Sequence, residues 1–363
     1  MKPELTLLRS EIEQGLQLTG ASFERSLIVN SSDVGRLINA ERVRIGGALV
    51  LRLSDINSLR LLDAEIEGGV SFMGSAFERL VNADGVRVGG SLLLRDSEFF
   101  EELDLLGADV GDDIQFGDSR FEGAVDMTGT RVAGEILLSG ARHGAPEWGA
   151  DARLILRNVS ADALQAEERA WTLVDGSPLP TDLTGFAYAR LGGLTAAEGE
   201  TMADSDAKWL AGWIADQPYH NARYDPQPYE QLAAALDAAG ATGTARRIRY
   251  EKFEHKRRAA NVGLWETARL HASRWLIGHG LWFAGLVALG MAAAWRGGAP
   301  ELRGFWPKLW YSLENALPLV ELKPGHKEIA HPRPWVENFF HAQKLIGFAL
   351  ATILVGALTL LGG

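Results

Sequence analysis

The feature of the sequence that most constrains the fold is an apolar residue that recurs every eleven positions, with one step of ten, along roughly the first 140 residues. A second apolar series with the same step lies between its members, so the combined steps alternate between about six and five residues. An α-helix repeats its apolar positions every 3.6 residues, so neither series fits a helix. The first series comprises Ile12, Phe23, Val34, Ile45, Ile56, Ile66, Phe77, Val88, Phe99, Val110, Phe121 and Val132. The second comprises Leu18, Val29, Ala40, Leu51, Leu61, Phe72, Ala83, Leu94, Leu105, Phe116, Met127 and Leu138.

This spacing predicts a chain that turns a corner every five or six residues. Four such sides close a coil of about 21 or 22 residues, and the coils stack by main-chain pairing at roughly 4.8 Å per coil. About six coils are expected. Glycines near the predicted corners are expected to supply positive φ angles or close approach of the backbone. They are Gly46, Gly47, Gly68, Gly69, Gly89, Gly90, Gly111 and Gly134.

The segment Ser54–Gly68, SDINS-LRLLD-AEIEG, contains three unbroken pentads. It resembles the pentapeptide-repeat family, and the resemblance implies a right-handed quadrilateral β-helix. Most other sides of this sequence are hexads, which makes it a degenerate relative. We therefore predict a mainly β fold, with a β-solenoid over residues 1–160 and a solenoid cap over 161–203. A solenoid fold by itself indicates no particular function.

Residues 204–260 carry helical signals. Ser205 is predicted to cap a helix whose apolar face includes Trp209 and Trp213. Pro228 suits the first turn of the next helix, and Gly240 suits its end. The stretch Tyr229–Arg258 resembles a tetratricopeptide-type hairpin. A single hairpin is too short for a binding array, so a packed connector is the favoured interpretation.

The last part of the chain, 261–363, is predicted to be a membrane module. Trp275–Trp295 contains no formal charge and is long enough for a transmembrane helix, and Leu345–Leu361 is close to the lower limit. The alternative for either segment is a buried core helix. Residues 1–240 carry a net charge of −19 and residues 241–363 carry +8, so the sequence joins an acidic body to a basic tail.

A basic cluster precedes the first predicted span. Its position beside a span favours lipid headgroups over nucleic acid as the partner. By the positive-inside rule, the basic cluster places the N-terminal body in the cytoplasm. The chain is then expected to be a multi-pass protein of the inner membrane. Residues 1–8 show no secretory signal that would indicate otherwise. A homo-oligomer through the membrane helices is an open alternative. The cluster comprises Arg246, Arg247, Arg249, Lys252, Lys256, Arg257, Arg258, Arg269 and Arg274.

The connection 297–343 includes the apolar stretch Phe305–Leu322. Its alternatives are an interfacial helix, a cover on the two spans or a re-entrant segment. A re-entrant segment between two spans is also the layout of simple cation channels, but no TVGYG-like filter is present. Glu314 and Glu321 are expected to be solvated carboxylates, and His326, His331 and His341 solvated loop histidines. His279, inside the first predicted span, is either an intramembrane functional group or a helix contact.

The motifs PQPYEQLA and YSLENALPLVEL resemble those of uncharacterised bacterial membrane proteins, some of which are labelled membrane-associated oxidoreductases. The residues give that label no support. The chain has no cysteine, which excludes a disulfide framework, a thiol nucleophile and cysteine-ligated metal centres. It has no GxGxxG motif after a strand and no recognisable catalytic triad or phosphate loop. No cofactor and no metal are expected.

Residues 101–126 are rich in carboxylates, which are expected on outward positions of the coils. They are Glu101, Glu102, Asp104, Asp109, Asp112, Asp113, Asp118, Glu122 and Asp126. Some pentapeptide-repeat proteins use an acidic column to imitate DNA, so the resemblance includes that alternative; a plain solvated wall is the other. The sequence predicts a non-catalytic, membrane-anchored platform for a protein partner. A small pore or membrane-perturbing effector is the second hypothesis.

Overall fold

A computed structural model describes residues 5–140, 143–192, 201–218, 224–258, 280–297, 299–317, 326, 329 and 332–361. Side chains are described in these ranges except at 257–258, 280–285 and 349–361. The chain divides into two compact units, Met1–Asn261 (unit 1) and Val262–Gly363 (unit 2), and each is treated by itself.

Unit 1 contains a parallel β-solenoid of about six turns, as the eleven-residue period predicts. Each turn contributes short strands to four stacks, which we call faces 1 to 4 in chain order. Face 1 contains β1 (Leu5–Leu8), β5 (Leu27–Asn30), β8 (Leu49–Arg52), β11 (Val70–Ser71), β15 (Leu92–Leu93), β19 (Ile114–Gln115) and β23 (Glu135–Leu137). Face 2 contains β2 (Glu11–Ile12), the first parts of β6 (Asp33–Asn39) and β9 (Asp55–Arg60), β12 (Ala76–Phe77), β16 (Glu98–Phe99), β20 (Arg120–Phe121) and β24 (Glu147–Trp148).

The two remaining faces complete each turn. Face 3 contains β3 (Leu16–Gln17), the second parts of β6 and β9, β13 (Val81–Asn82), β17 (Leu103–Asp104), β21 (Ala124–Asp126), β25 (Arg153–Ile155) and β27 (Thr181–Asp182). Face 4 contains β4 (Ser22–Phe23), β7 (Arg44–Ile45), β10 (Glu65–Ile66), β14 (Arg87–Val88), β18 (Asp109–Val110) and β22 (Arg131–Val132). The longer strands β26 (Ser160–Gln165) and β28 (Ala187–Leu191) run across faces 4 and 1.

The register repeats almost without error. On face 1, Leu5 pairs with Leu27 and Leu27 with Leu49, a step of 22 residues, and the step from Leu49 to Val70 is 21. Parallel pairing continues beyond residue 160, because β26 pairs with β28 and β25 with β27. The segment predicted as a cap therefore contributes further strands to the same stacks.

Both predicted apolar series point into the column. From the second coil onward their members are at most 5% exposed. In the first coil Ile12, Leu18 and Phe23 are only partly buried, because described coils cover them on one side alone. Stacking places similar side chains over one another in successive coils. The ring centroids of Phe77 and Phe99, of Phe99 and Phe121, and of Phe121 and Trp148 are each 5.0 Å apart.

Two opposite corners of each turn use left-handed backbone. At the corner between faces 1 and 2, a residue with positive φ precedes a serine, and this serine is buried from the second coil onward. The residues with positive φ are Arg9, Ser31, Leu53, Gly74, Asp96 and Asp118. At the corner between faces 3 and 4 they are Gly20, Arg42, Asp63, Gly85, Gly107, Gly129, Asn158 and Gly185. None of the predicted corner glycines has positive φ, so of the two roles expected for them only the close approach of the backbone applies. Their role is close approach, since a Cβ at Gly89 would lie 2.2 Å from the carbonyl oxygen of Glu67.

The helices after the solenoid include the predicted hairpin. Helix α1 (Ala207–Ala215) is capped by Asp206 rather than by Ser205, because the Asp206 carboxylate accepts a hydrogen bond from the Lys208 amide. Helices α2 (Gln227–Ala238) and α3 (Thr242–Arg258) pack against each other, with Gly240 at φ 82° ending the first. Short 3₁₀ helices lie at Glu168–Trp171 and Met202–Asp204.

Unit 2 contains helices α4 (Gly280–Gly297), α5 (Phe305–Ala316) and α6 (Pro334–Leu361), with a 3₁₀ turn at Pro300–Leu302. Among the residues that the structure describes, no helix combines the length and the apolar character needed to cross a membrane. The two predicted transmembrane helices are therefore not supported. Residues 275–279 of the first prediction, and the side chains of 349–361 in the second, lie outside the described part.

The serines at the first corner allow a test of the coil-on-coil register. The buried Ser75 hydroxyl donates to the carbonyl of Leu51 (2.9 Å) and accepts from the amide of Ser54 (3.0 Å). Ser75→Ala leaves both backbone groups unpaired, so we expect the free energy of unfolding to fall by about 1–3 kcal/mol. Urea denaturation measures the change. Ser22→Ala, at an exposed position on face 4, is the control, and equal midpoints for the two variants would contradict the register.

Candidate functional site: an acidic ladder on the solenoid

The nine carboxylates predicted as a partner-binding face are all exposed or partly exposed, but they do not share one face. Asp104 and Asp126 lie on face 3, and Glu101, Glu102 and Glu122 lie at the neighbouring corner with face 2. The other four are distributed over the rest of the turn: Asp109 on face 4, Asp112 and Asp113 at the corner of faces 4 and 1, and Asp118 at the corner of faces 1 and 2. Five of the nine groups therefore lie on face 3 or at its corner with face 2.

Register brings carboxylates of successive coils together on face 3. Asn82 pairs with Asp104, and Asp104 pairs with Asp126. Asp84 lies next to this row; its carboxylate accepts hydrogen bonds from the Asn82 side chain and the Leu106 amide, both at 3.1 Å. We call Asp84, Glu102, Asp104 and Asp126 the acidic ladder. The sequence prediction missed Asp84, which in rows of 22 residues aligns with Leu106 rather than with Asp104 and Asp126.

The ladder carboxylates repel one another. Partial burial, followed by the charges of Glu102, Asp84 and Asp126, raises the pKa of Asp104 from 3.8 to about 6. Among the described residues no lysine, arginine or histidine forms an ion pair with Asp84, Asp104 or Asp126. Glu102 has a distant cation, Arg153, at 3.8 Å. Negative charge is thus left uncompensated at this point of the column.

Five of the six other carboxylates in the predicted set have hydrogen-bond or ion-pair partners. Glu101 pairs with Arg79 (3.6 Å), Glu122 with Arg120 (2.5 Å), and Asp118 with His143 (3.1 Å). Asp112 accepts from the Ser91 hydroxyl at 3.0 Å and Asp113 from the Glu135 amide at 2.9 Å. These groups stabilise corners and contacts between coils.

Face 4 differs from face 3 in the arrangement of its charges. Its outward row alternates in sign, and Glu65 lies between Arg44 (3.2 Å) and Arg87 (2.6 Å) of the adjacent coils. In the next coil Asp109 pairs in register with Arg87 and Arg131. The same stacking that concentrates charge on face 3 therefore neutralises it on face 4.

Part of the predicted basic cluster is used inside unit 1. Arg247 pairs with Glu251 on its own helix, whereas Arg249 and Lys252 pair with Asp237 and Glu230 of α2. Arg246 is exposed, and the Lys256 ammonium lies over the Tyr224 ring at 5.8 Å. The remaining members, the side chains of Arg257 and Arg258 together with Arg269, Arg274 and also His279, lie outside the described residues.

In unit 2, the side chains of Glu314 and His326 are largely buried, so the expectation that they are solvated was wrong. The His326 Nδ1 atom and the Glu314 carboxylate are 2.6 Å apart, and the two side chains are only 8% and 11% exposed. Tyr311 packs edge-on against the His326 ring. His341 is exposed, as expected, but it lies on helix α6 rather than in a loop. Glu321 and His331 lie outside the described residues.

Within the described ranges, no three histidine, aspartate or glutamate side chains are grouped so as to hold a metal ion. Comparison with known proteins adds no further assignment. No family model, no curated protein and no solved structure matches the chain.

The raised pKa of Asp104 predicts a pH-dependent stability. The folded chain holds this proton more tightly than the unfolded chain, so the group's contribution is most favourable below about pH 4 and is lost as the pH rises through about 6. Asp104→Asn removes the repelling charge. After a discount for the partial exposure of the group, we expect it to raise the free energy of unfolding by about 1 kcal/mol at pH 8 and to change it little at pH 4.

Urea denaturation of the parent and variant chains at the two pH values measures this effect. Asp109→Asn, which removes a charge on the neutralised face 4, serves as the control and is expected to give no gain at pH 8. A variant Asp104→Asn that is less stable than the parent at pH 8 would contradict the repulsion.

Proposed function

We propose that this chain is a non-catalytic interaction platform whose solenoid binds a basic protein surface, and that unit 2 holds the platform at a lipid membrane. The observation that carries the platform is the acidic ladder. Its four carboxylates lie in three successive coils, and Asp84, Asp104 and Asp126 form no ion pair with a described residue. A locally unfavourable arrangement on a well-ordered scaffold is typical of a functional site.

The scaffold suits this role because its spacing is fixed. Rungs of the ladder follow one another at the coil repeat of roughly 4.8 Å, and main-chain pairing on both sides prevents them from separating. A partner that presents lysine or arginine side chains along an extended edge would relieve the repulsion. Charge complementarity of this kind contributes mainly to specificity and to the rate of association.

Membrane attachment is supported by the distribution of polarity in unit 2. Its surface carries large apolar side chains: Leu289, Trp295, Phe305, Trp306, Trp310, Trp335, Leu345, Ile346 and Phe348. Its interior includes polar groups, of which Ser312, Asn315 and Gln343 are at most 2% exposed. The Ser312 hydroxyl donates to Val287 O and the Gln343 amide to Ser312 O, across helices α4, α5 and α6.

Proteins in water normally bury large apolar side chains and expose polar ones. Exposed apolar patches of this kind mark interaction or membrane surfaces. Tryptophan is also the residue that favours the lipid–water interface. The two-span topology and the cytoplasmic position of the solenoid, next to the inner membrane, remain predictions from the sequence. Attachment through α5 as an interfacial helix requires neither of them.

The platform predicts that partner binding depends on face 3 alone. The double variant Asp104→Asn, Asp126→Asn should lose at least about tenfold of its partner in quantitative cross-linking mass spectrometry, because two charges at the centre of the contact are removed. The matched control Asp109→Asn, Asp112→Asn removes the same charge from face 4 and its corner with face 1, and should retain the partner. Equal capture by the two variants would contradict the proposal.

Membrane attachment predicts a difference between two equally exposed positions. Because the chain has no cysteine, single cysteines can carry an environment-sensitive fluorophore. We expect the full chain to float with vesicles of neutral and anionic lipid. A probe at Trp306→Cys should be quenched by bromolipid acyl chains, whereas a probe at Val174→Cys in unit 1 should not; the native side chains are 63% and 60% exposed. Failure to float, or equal quenching at both sites, would contradict it.

A further inference from the structure

A groove in unit 1 lies between helix α1 and the turn Trp171–Pro178, away from the acidic ladder. Its volume is about 520 Å³, within the range of small-ligand sites. Its apolar wall is formed by three indoles: Trp209 and Trp213 lie one helical turn apart on α1, and Trp171 packs against Trp213 with ring centroids 4.9 Å apart.

Two glycines keep the groove open. A Cβ built at Gly212 would meet no atom nearer than the Asp216 carboxylate at 3.4 Å, and one at Gly176 would meet nothing within 4 Å. The space is therefore a consequence of the sequence at these positions, because any larger residue at 212 would project into it.

The groove has carboxylates at both ends of the helix. Asp206 caps the N-terminus of α1, and Asp216 follows its last residue; the nine-residue helix between them is about 14 Å long. The Asp216 carboxylate forms no hydrogen bond or ion pair with any described residue. Lys208 is the one cation in the lining, so two negative charges face one positive charge.

Two other polar side chains of the lining are already engaged. The Thr172 hydroxyl donates to the carbonyl of Arg169, and the Gln217 amide bonds Thr181 N and Trp213 O. The indole N–H groups of Trp171 and Trp213 have no hydrogen-bond partner among the described residues, but both nitrogen atoms are fully buried and therefore out of reach of a ligand in the groove. The groove thus offers aromatic surface and negative charge but few directional donors, which a sugar or a peptide backbone would require.

We infer that this groove binds a small organic cation of the quaternary ammonium class. Such a ligand carries its charge on an apolar body and makes no hydrogen bonds. Tryptophan is the aromatic side chain that attracts a cation most strongly. The inference does not depend on the proposed platform or on membrane attachment, because the ladder and unit 2 contribute no residue to the groove.

Titration calorimetry on the full chain tests it with choline and with 3,3-dimethylbutanol, the uncharged compound of the same shape. We expect choline to bind with a Kd of about 1 mM and the neutral compound to bind at least about fivefold more weakly. Glycerophosphocholine distinguishes a lipid headgroup from a free cation as the source: tighter binding than choline would assign the headgroup, and weaker binding the free compound.

The variants locate the site. Trp209→Leu and Asp216→Asn should each weaken choline binding about three- to thirtyfold. Trp209→Phe, which keeps an aromatic face, and Glu168→Gln, outside the groove, should lose little. Thermal unfolding of each variant checks that the fold is retained. Equal binding of choline and its neutral counterpart, no heat from either at about 20 mM, or unchanged affinity in both groove variants would overturn the inference.

Discussion

The interaction on which unit 1 depends is main-chain pairing between equivalent residues of successive coils, 21 or 22 positions apart. This register places each side chain directly over its counterpart in the coil before. Inside the column the consequence is favourable, since phenylalanine stacks on phenylalanine and the buried serines bond to one another's backbone. Outside it the consequence depends on charge. Alternating signs neutralise face 4, whereas like signs accumulate on face 3.

Much of the solenoid could be predicted from the sequence because its interior obeys a simple period. Apolar residues that recur every five or six positions identify the sides of each coil. The step of 21 or 22 residues identifies the length of one coil. The conformations of the corners were less accessible. Positive φ occurs at residues such as Arg42 and Leu53, which have no intrinsic preference for it, because the corner geometry and the following buried residue impose it.

The site could be predicted only in part, for a related reason. A local window of the sequence, 101–126, identifies charge density but not which charges meet. Asp84 lies one coil before Asp104 and adds to the charge that acts on it, whereas Asp109 lies in register between Arg87 and Arg131. A local window of the sequence shows neither relation. In unit 2 the buried pair of Glu314 and His326 has no helical spacing that could reveal it. Such contacts arise from tertiary packing, which single-sequence patterns do not encode.

The most direct test of this account is the distance along the column between two equivalent outward positions. Ser22 and Arg131 are five register steps apart on face 4, and the cysteine-free chain allows spin labels at Ser22→Cys and Arg131→Cys alone. Double electron–electron resonance should give one narrow distribution near 24 Å, which is five times the coil repeat. A broad distribution, or one centred far from that value, would contradict the in-register stacking from which the ladder follows.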